Sequence, residues 1–160
     1  MTPHGRALAI LRHAKSEWPP DVPDLDRPLA PRGIRQAPEA GRWLADHAPR
    51  IDLAVCSPAA RTRGTWELVA PELPDPPEIR YEARMHGATA GTLLRLVREL
   101  PDEANIVLLI GHNPGLEDLI AYLTGVGIGL KTSAAAVLSG DLTWPETDAG
   151  RLTLRSGPSR

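Results

Sequence analysis

Apolar and polar positions along this chain fall into blocks of two periods. Leu8-Ala9-Ile10-Leu11 is a continuous apolar run that stops at Arg12-His13. Such a run, bounded by polar residues, predicts a strand buried on both faces. Ile51 to Val55 and Asn105 to Ile110 repeat the pattern, the second containing Ile-Val-Leu-Leu-Ile. Between these runs the spacing turns helical. Ile34, Ala37, Gly41, Leu44 and Ala45 predict a helix over Gly33 to His47, which either starts at Pro38 or kinks there. Ser57-Pro58 predicts a serine N-cap and a proline in the first turn of a helix that runs to Val69 and stops before Pro71. Leu93, Leu96, Val97 and Leu100 predict a helix over Thr89 to Leu100, and Leu116 to Leu123 another, ended by Gly125. Glu78 to Ala83 predicts a short strand. Ala134 to Leu138 and Leu152 to Leu154 predict the last two, with Trp144 to Gly150 between them as turn and loop. The order β–α–β–α–β–α–β–α–β–β predicts an α/β fold. It is a three-layer α/β/α sandwich with a mostly parallel central sheet, and the last pair is placed to form a hairpin with one antiparallel strand.

Composition narrows this picture. The 160 residues suit a single domain over 1–160 with a sizeable core, and no internal repeat or boundary interrupts them. A net charge of −2 and a pI near 6.2 argue against a general nucleic-acid binder but permit a small positive pocket. No apolar run reaches the length of a membrane span, and Met1 to Arg6 lacks the apolar core of a signal peptide. The single cysteine, Cys56, excludes an intramolecular disulfide and suits a reducing compartment, so the expected location is the cytoplasm. Pro19, Pro20, Pro23, Pro28 and Pro31 crowd the segment after the first strand. Proline fixes φ and removes donors, so this is a stiff, irregular loop placed to wall whatever the strand delivers. Asp24, Asp26, Arg27 and Arg32 read either as rim contacts or as solvated loop charges, the solvated reading being favoured for each taken singly, and the sequence assigns no role to Lys15.

The chemistry sits where the apolar runs end. Arg12 with His13 follows the first run, Arg61 follows the second, and His112 follows the strongest. In open α/β sheets, ligands bind beyond the carboxyl ends of the strands. Arginine carries a fixed fork of donors suited to phosphate, and neutral histidine is a nucleophile. Arg61 falls in the first turn of its helix, where free N–H groups and the macrodipole already favour anions. Gly111 is small enough to let backbone approach a ligand. Two arginines and two histidines at one sheet edge predict a phosphate pocket. No cysteine or carboxylate cluster has metal-ligand spacing, so no metal or other cofactor is expected. Cys56 and Arg61 are separated by four residues, one short of the Cys-x5-Arg loop of cysteine phosphatases, and Cys56 reads as a small buried hydrophobe.

Leu11-Arg12-His13-Ala14, Ser57-Pro58-Ala59-Ala60-Arg61 and Gly111-His112-Asn113-Pro114 resemble the three motifs of the histidine phosphatase superfamily, in the right order. Asp26-Arg27-Pro28-Leu29 with Arg32-Gly33 resembles its small SixA-type branch, the phosphohistidine phosphatases. Many superfamily members have glycine after the nucleophile, and Ala14 suits this branch. The resemblance implies a phosphoglycerate-mutase-like fold and a metal-independent phosphatase. It implies His13 as nucleophile and a covalent phosphohistidine intermediate. Arg12, Arg61 and His112 would hold the phosphoryl oxygens, so phosphate, sulfate or vanadate should occupy the pocket. Many members place an acidic general acid after the third strand; Glu82 is the nearest match here, with a surface glutamate as the other reading. The implied partner is a phosphorylated protein or a small phosphorylated compound, with no nucleic acid or membrane. Two alternatives stay open. One is a phosphatase or mutase acting on a small phosphate ester, although such mutases are usually longer and carry a lid. The other is a non-catalytic module that binds phosphorylated ligands, against which the intact His13 speaks.

Overall fold

The computed structural model describes residues 5–158. Its strands are β1 (Gly5–Arg12), β2 (Leu53–Cys56), β3 (Glu78–Tyr81), β4 (Ile106–Gly111), β5 (Ala135–Asp141) and β6 (Thr153–Ser156). Its helices are α1 (Pro31–His47), α2 (Ala60–Val69), α3 (Ala90–Arg98) and α4 (Gly115–Thr124). All six strands join one sheet in the order β3-β2-β4-β1-β5-β6. β1 to β4 run parallel; β5 is antiparallel to β1, and β6 to β5. β4 inserts between β1 and β2, so the two apolar runs that end in histidine lie side by side.

The alternation of side chains on β1 explains the layering. Leu8 and Ile10 face one side with Leu53, Val55, Val107 and Leu109, against Leu93, Val97, Leu116 and Leu119 of α3 and α4. Ala9 and Leu11 face the other with Ala54, Leu108 and Ile110, against Ala37 and Leu44 of α1 and Trp66 and Val69 of α2. Each buried Leu or Ile contributes about 1.5–3 kcal/mol relative to exposure, which makes a one-residue register slip prohibitive.

Three details depart from the pattern read along the chain. Pro31, not Pro38, opens α1: it occupies the first turn after the Ala30 cap, and Pro38 is accommodated inside the helix. α2 begins at Ala60 with Ala59 as its cap, two residues after the serine that the sequence marks as cap. Trp144, placed in a turn by its sequence surroundings, opens a short 3-10 helix (Trp144–Glu146) and is fully buried, donating its indole N–H to the Ala104 carbonyl at 2.7 Å.

Two close approaches position the site. A Cβ on Gly33 would stand 2.1 Å from the Lys15 carbonyl oxygen, so the first turn of α1 lies directly against the backbone that follows His13. Packing also favours glycine at position 111: a Cβ there would meet the Met85 methyl at 3.3 Å. Among the described residues, no helix is long and apolar enough to cross a membrane.

Candidate active site

Parallel pairing of β1 with β4 sets Arg12 opposite Gly111, and the His13 N–H donates to the Gly111 carbonyl at 3.1 Å. The residues that follow, His13 and His112, therefore emerge together. Their ring centroids are 5.3 Å apart. Arg61 approaches from the first turn of α2, at the end of the adjoining strand β2. Thr65, one turn further along, ties this helix to β1: it accepts the Ala14 N–H at 2.9 Å and donates to the Arg61 carbonyl at 2.7 Å.

The His13 ring is buried, and its Nδ1 lies 2.7 Å from the Ala14 carbonyl oxygen. A carbonyl can only accept, so the proton resides on Nδ1 and Nε2 keeps its lone pair. Burial pushes the His13 pKa down to about 4, helped by the positive charges of Arg61, Arg12 and Arg27 and opposed by the Ala14 hydrogen bond. His112 is pushed down to about 3 by burial, then by Arg61. Its Nε2 is hydrogen-bonded with the Ser57 hydroxyl at 2.8 Å. Arg12 donates to the Leu130 carbonyl at 3.0 Å. Arg12 Nε, Arg61 Nε and His112 Nδ1 are buried without a partner. Such atoms are rare and costly, so the chain does not saturate the hydrogen-bonding capacity of this cluster from within.

The proline-rich loop contributes more than a wall. Asp24 sits in a 3-10 turn (Asp24–Asp26), and its carboxylate gathers three side chains: Arg27 at 2.9 Å, Arg61 at 3.0 Å and His86 Nε2 at 2.9 Å. These hydrogen bonds, that of His86 foremost, hold the Asp24 carboxyl well below the usual carboxylate range. Arg27 is buried, bonded also to the Glu17 carbonyl and the Ser16 hydroxyl, and stacked under the exposed Trp18 ring at 3.2 Å. Arg27 is thus buried, and Asp24, though half exposed, is bonded to Arg61, whereas each taken singly reads as a solvated loop charge. Asp26, Arg32 and Lys15 are exposed, and no side-chain hydrogen bond or ion pair joins any of them to the cluster.

Glu82 is not brought to the cluster. Its carboxylate accepts the Arg84 N–H at 2.9 Å and pairs with the Arg84 guanidinium at 2.9 Å, which lowers its pKa and leaves it a poor store of protons. It caps the short 3-10 helix Ala83–Met85, and the residue after that helix is His86. The His86 ring meets the His112 ring edge-on, with centroids 5.5 Å apart. The sequence carries no signal for this third histidine beyond its place a few residues past β3. Cys56 is fully buried, and burial pushes its thiol pKa up to about 12, so no thiolate is available.

The depressed histidines have a measurable consequence. Unfolded histidine takes up a proton near pH 6.5, whereas folded His13 and His112 resist until about 4 and 3. Between these limits the unfolded chain binds more protons, so stability is fully present above pH 6.5 and is lost as pH falls toward 4. Imidazole nitrogen NMR should show both rings neutral from pH 8 to about 5, and the urea midpoint should fall over the acid part of that range. Ring signals that titrate with midpoints near 6.5 would refute the buried, neutral pair.

A family model for the histidine phosphatase superfamily, branch 1, matches residues 8–93, a span that takes in Arg12, His13, Arg61 and His86. An uncharacterized protein of Mycobacterium tuberculosis is 35% identical over 151 residues, covering 88% of this chain and 93% of that protein. The SixA structure from Nakamurella multipartitia superposes with a TM-score of 0.86 at 30% identity, covering 97% of this chain and 96% of that one. The protein histidine phosphatase SixA complexed with tungstate superposes at 0.81 with 25% identity, over 96% of each chain.

Proposed function

The chain belongs to the histidine phosphatase superfamily and to its SixA-type branch, and from that premise we propose that it removes phosphate from phosphohistidine in a protein, through a phosphoenzyme on His13. The observation that carries this reading is the His13 ring itself. Its Nδ1–H is committed to the Ala14 carbonyl, so Nε2 keeps its lone pair, in a ring that feels the charges of Arg61 and Arg12 and lies 5.3 Å from the His112 ring. Nε2 attacks phosphorus while the bond to the leaving group breaks. Water then attacks the phosphohistidine, releases inorganic phosphate and regenerates neutral His13. Arg12 and Arg61 neutralise the charge spread over the equatorial oxygens, and His112 donates a hydrogen bond to them. The cations are side chains, so the reaction needs no metal. Tungstate bound to the SixA relative supports an oxyanion pocket here, open to phosphate, sulfate and vanadate as well.

Substrate choice follows from leaving-group chemistry and from the shape of the mouth. Phosphohistidine departs through a nitrogen that takes up a proton readily, whereas an alkyl ester must expel an alkoxide. The proline-rich loop that carries Asp24 and Arg27 also exposes Trp18, Val22 and Leu25, an apolar surface that suits a side chain presented on another protein. The kcat/KM on a phosphohistidine peptide should exceed that on an alkyl phosphate by about 10²-fold or more. A ratio favouring a small sugar phosphate would overturn the substrate assignment and leave a superfamily phosphatase of other preference.

A further inference from the structure

His86 has no part in the phosphate cradle described above, yet the fold takes trouble to bring it there. The 3-10 turn Ala83–Met85, capped by Glu82, turns the chain back after β3 and sets the His86 Nε2 2.9 Å from Asp24 Oδ2. Asp24 is itself anchored by Arg27 and Arg61. The ring touches His112 edge-on, and His112 touches His13. His13 and His112 are buried deeper, whereas the His86 side chain is 34% exposed, so it stands on the solvent side of the cluster. A phosphoryl group held at His112 and attacked by His13 turns its departing atom away from His13, toward that side.

We propose that His86 is the proton donor to the leaving group and that Asp24 is its positioning residue, a role that rests on His13 being the nucleophile. Neither candidate carboxylate can do this work: Asp24 stays ionised beside Arg27 and Arg61, and Glu82 is tied to Arg84 away from the cluster. Histidine is the side-chain type that both holds and releases a proton near neutral pH. In the first half-reaction the Nε2(His13)–P bond forms and the P–X bond breaks. Protonated His86 gives its proton to X, leaving as HX, and becomes neutral. In the second, water attacks phosphorus, the P–Nε2 bond breaks, and the water proton returns to His86. The sum consumes one water and yields HX and inorganic phosphate, with both histidines restored. Asp24 accepts the ring N–H and fixes the ring plane throughout.

The test is the dependence of rate on leaving group in His86→Gln and His86→Ala, with phenyl phosphate and p-nitrophenyl phosphate as probes. Glutamine can still donate an N–H to Asp24 but cannot surrender a proton. Both variants should lose about 10²-fold in kcat on phenyl phosphate, which needs a protonated leaving group, and less than about 5-fold on p-nitrophenyl phosphate, which does not. Asp24→Asn should shift the same ratio in the same direction. Equal losses on both esters, or recovery of phenyl phosphate turnover in His86→Gln, would overturn the assignment in favour of a packing or hydrogen-bonding role. Acid-quench trapping in the wild type separates the two levels: a chain that forms no phosphoenzyme overturns the nucleophile, and this assignment with it.

Discussion

His13→Ala should lower kcat by about 10⁴-fold or more on every phosphorylated substrate, since loss of a nucleophile removes the covalent path outright. The expected loss is chemical rather than structural. His13 follows the last residue of β1, beyond the apolar ladder, and its ring hydrogen-bonds only to the neighbouring Ala14 carbonyl. Its neutral, desolvated state also costs stability in acid, so the variant should resist low pH slightly better than the wild type. Acid-quenched wild type should carry a phosphate that is acid-labile and base-stable, as on nitrogen, and the variant should carry none. Cys56→Ser is the companion measurement. With the thiol pKa pushed up to about 12 inside the sheet, Cys56 has no thiolate to offer, so the folded serine variant should keep its turnover. Normal turnover by His13→Ala, or loss of turnover in a folded Cys56→Ser, would end the histidine mechanism.

How far the sequence carries toward this site depends on whether a residue's role is local. Arg12, His13 and His112 were legible because each lies within two residues of the end of an apolar run, and a buried strand of a parallel sheet leads to one edge. The layers were legible for the same reason, since strand alternation and helical spacing both encode which side faces the core. What stayed hidden was set by contacts between distant segments. Asp24, Arg27 and His86 look like ordinary polar loop residues. They become a connected group only when the loop after β1 folds over Arg61 and the turn after β3 folds back to meet it, 62 positions apart in the case of Asp24 and His86. Glu82 shows the converse. A carboxylate at a strand end matches the position of an acid, but Arg84, two residues later, offers a backbone N–H and a guanidinium and captures it. Ser57 looked like a cap for α2 because capping is a local rule; the helix starts later, at Ala60, and the Ser57 hydroxyl bonds His112 from the adjoining strand end.

Arg61→Ala should cost about 10³-fold in kcat/KM, roughly 4 kcal/mol of transition-state stabilisation. The cost exceeds that of a single lost donor because Arg61 does two things. It presents a cation within the influence of both His13 and His112, and it binds the Asp24 carbonyl at 2.7 Å and the Asp24 carboxylate at 3.0 Å. Without it, an incoming phosphoryl dianion meets the Asp24 carboxylate with one fewer cation between them, and both ground-state binding and the transition state suffer. Vanadate inhibition should therefore weaken together with kcat. Asp24 keeps Arg27 and His86 as partners and is about half exposed, so no bare charge is stranded in the core and the variant should fold. Arg61→Lys provides the control on shape. It restores charge but not the planar fork that grips the carbonyl and carboxylate of Asp24 together, so it should recover only about 10-fold of the loss. Wild-type turnover in Arg61→Ala, with vanadate affinity unchanged, would place the phosphoryl group elsewhere and remove α2 from the site.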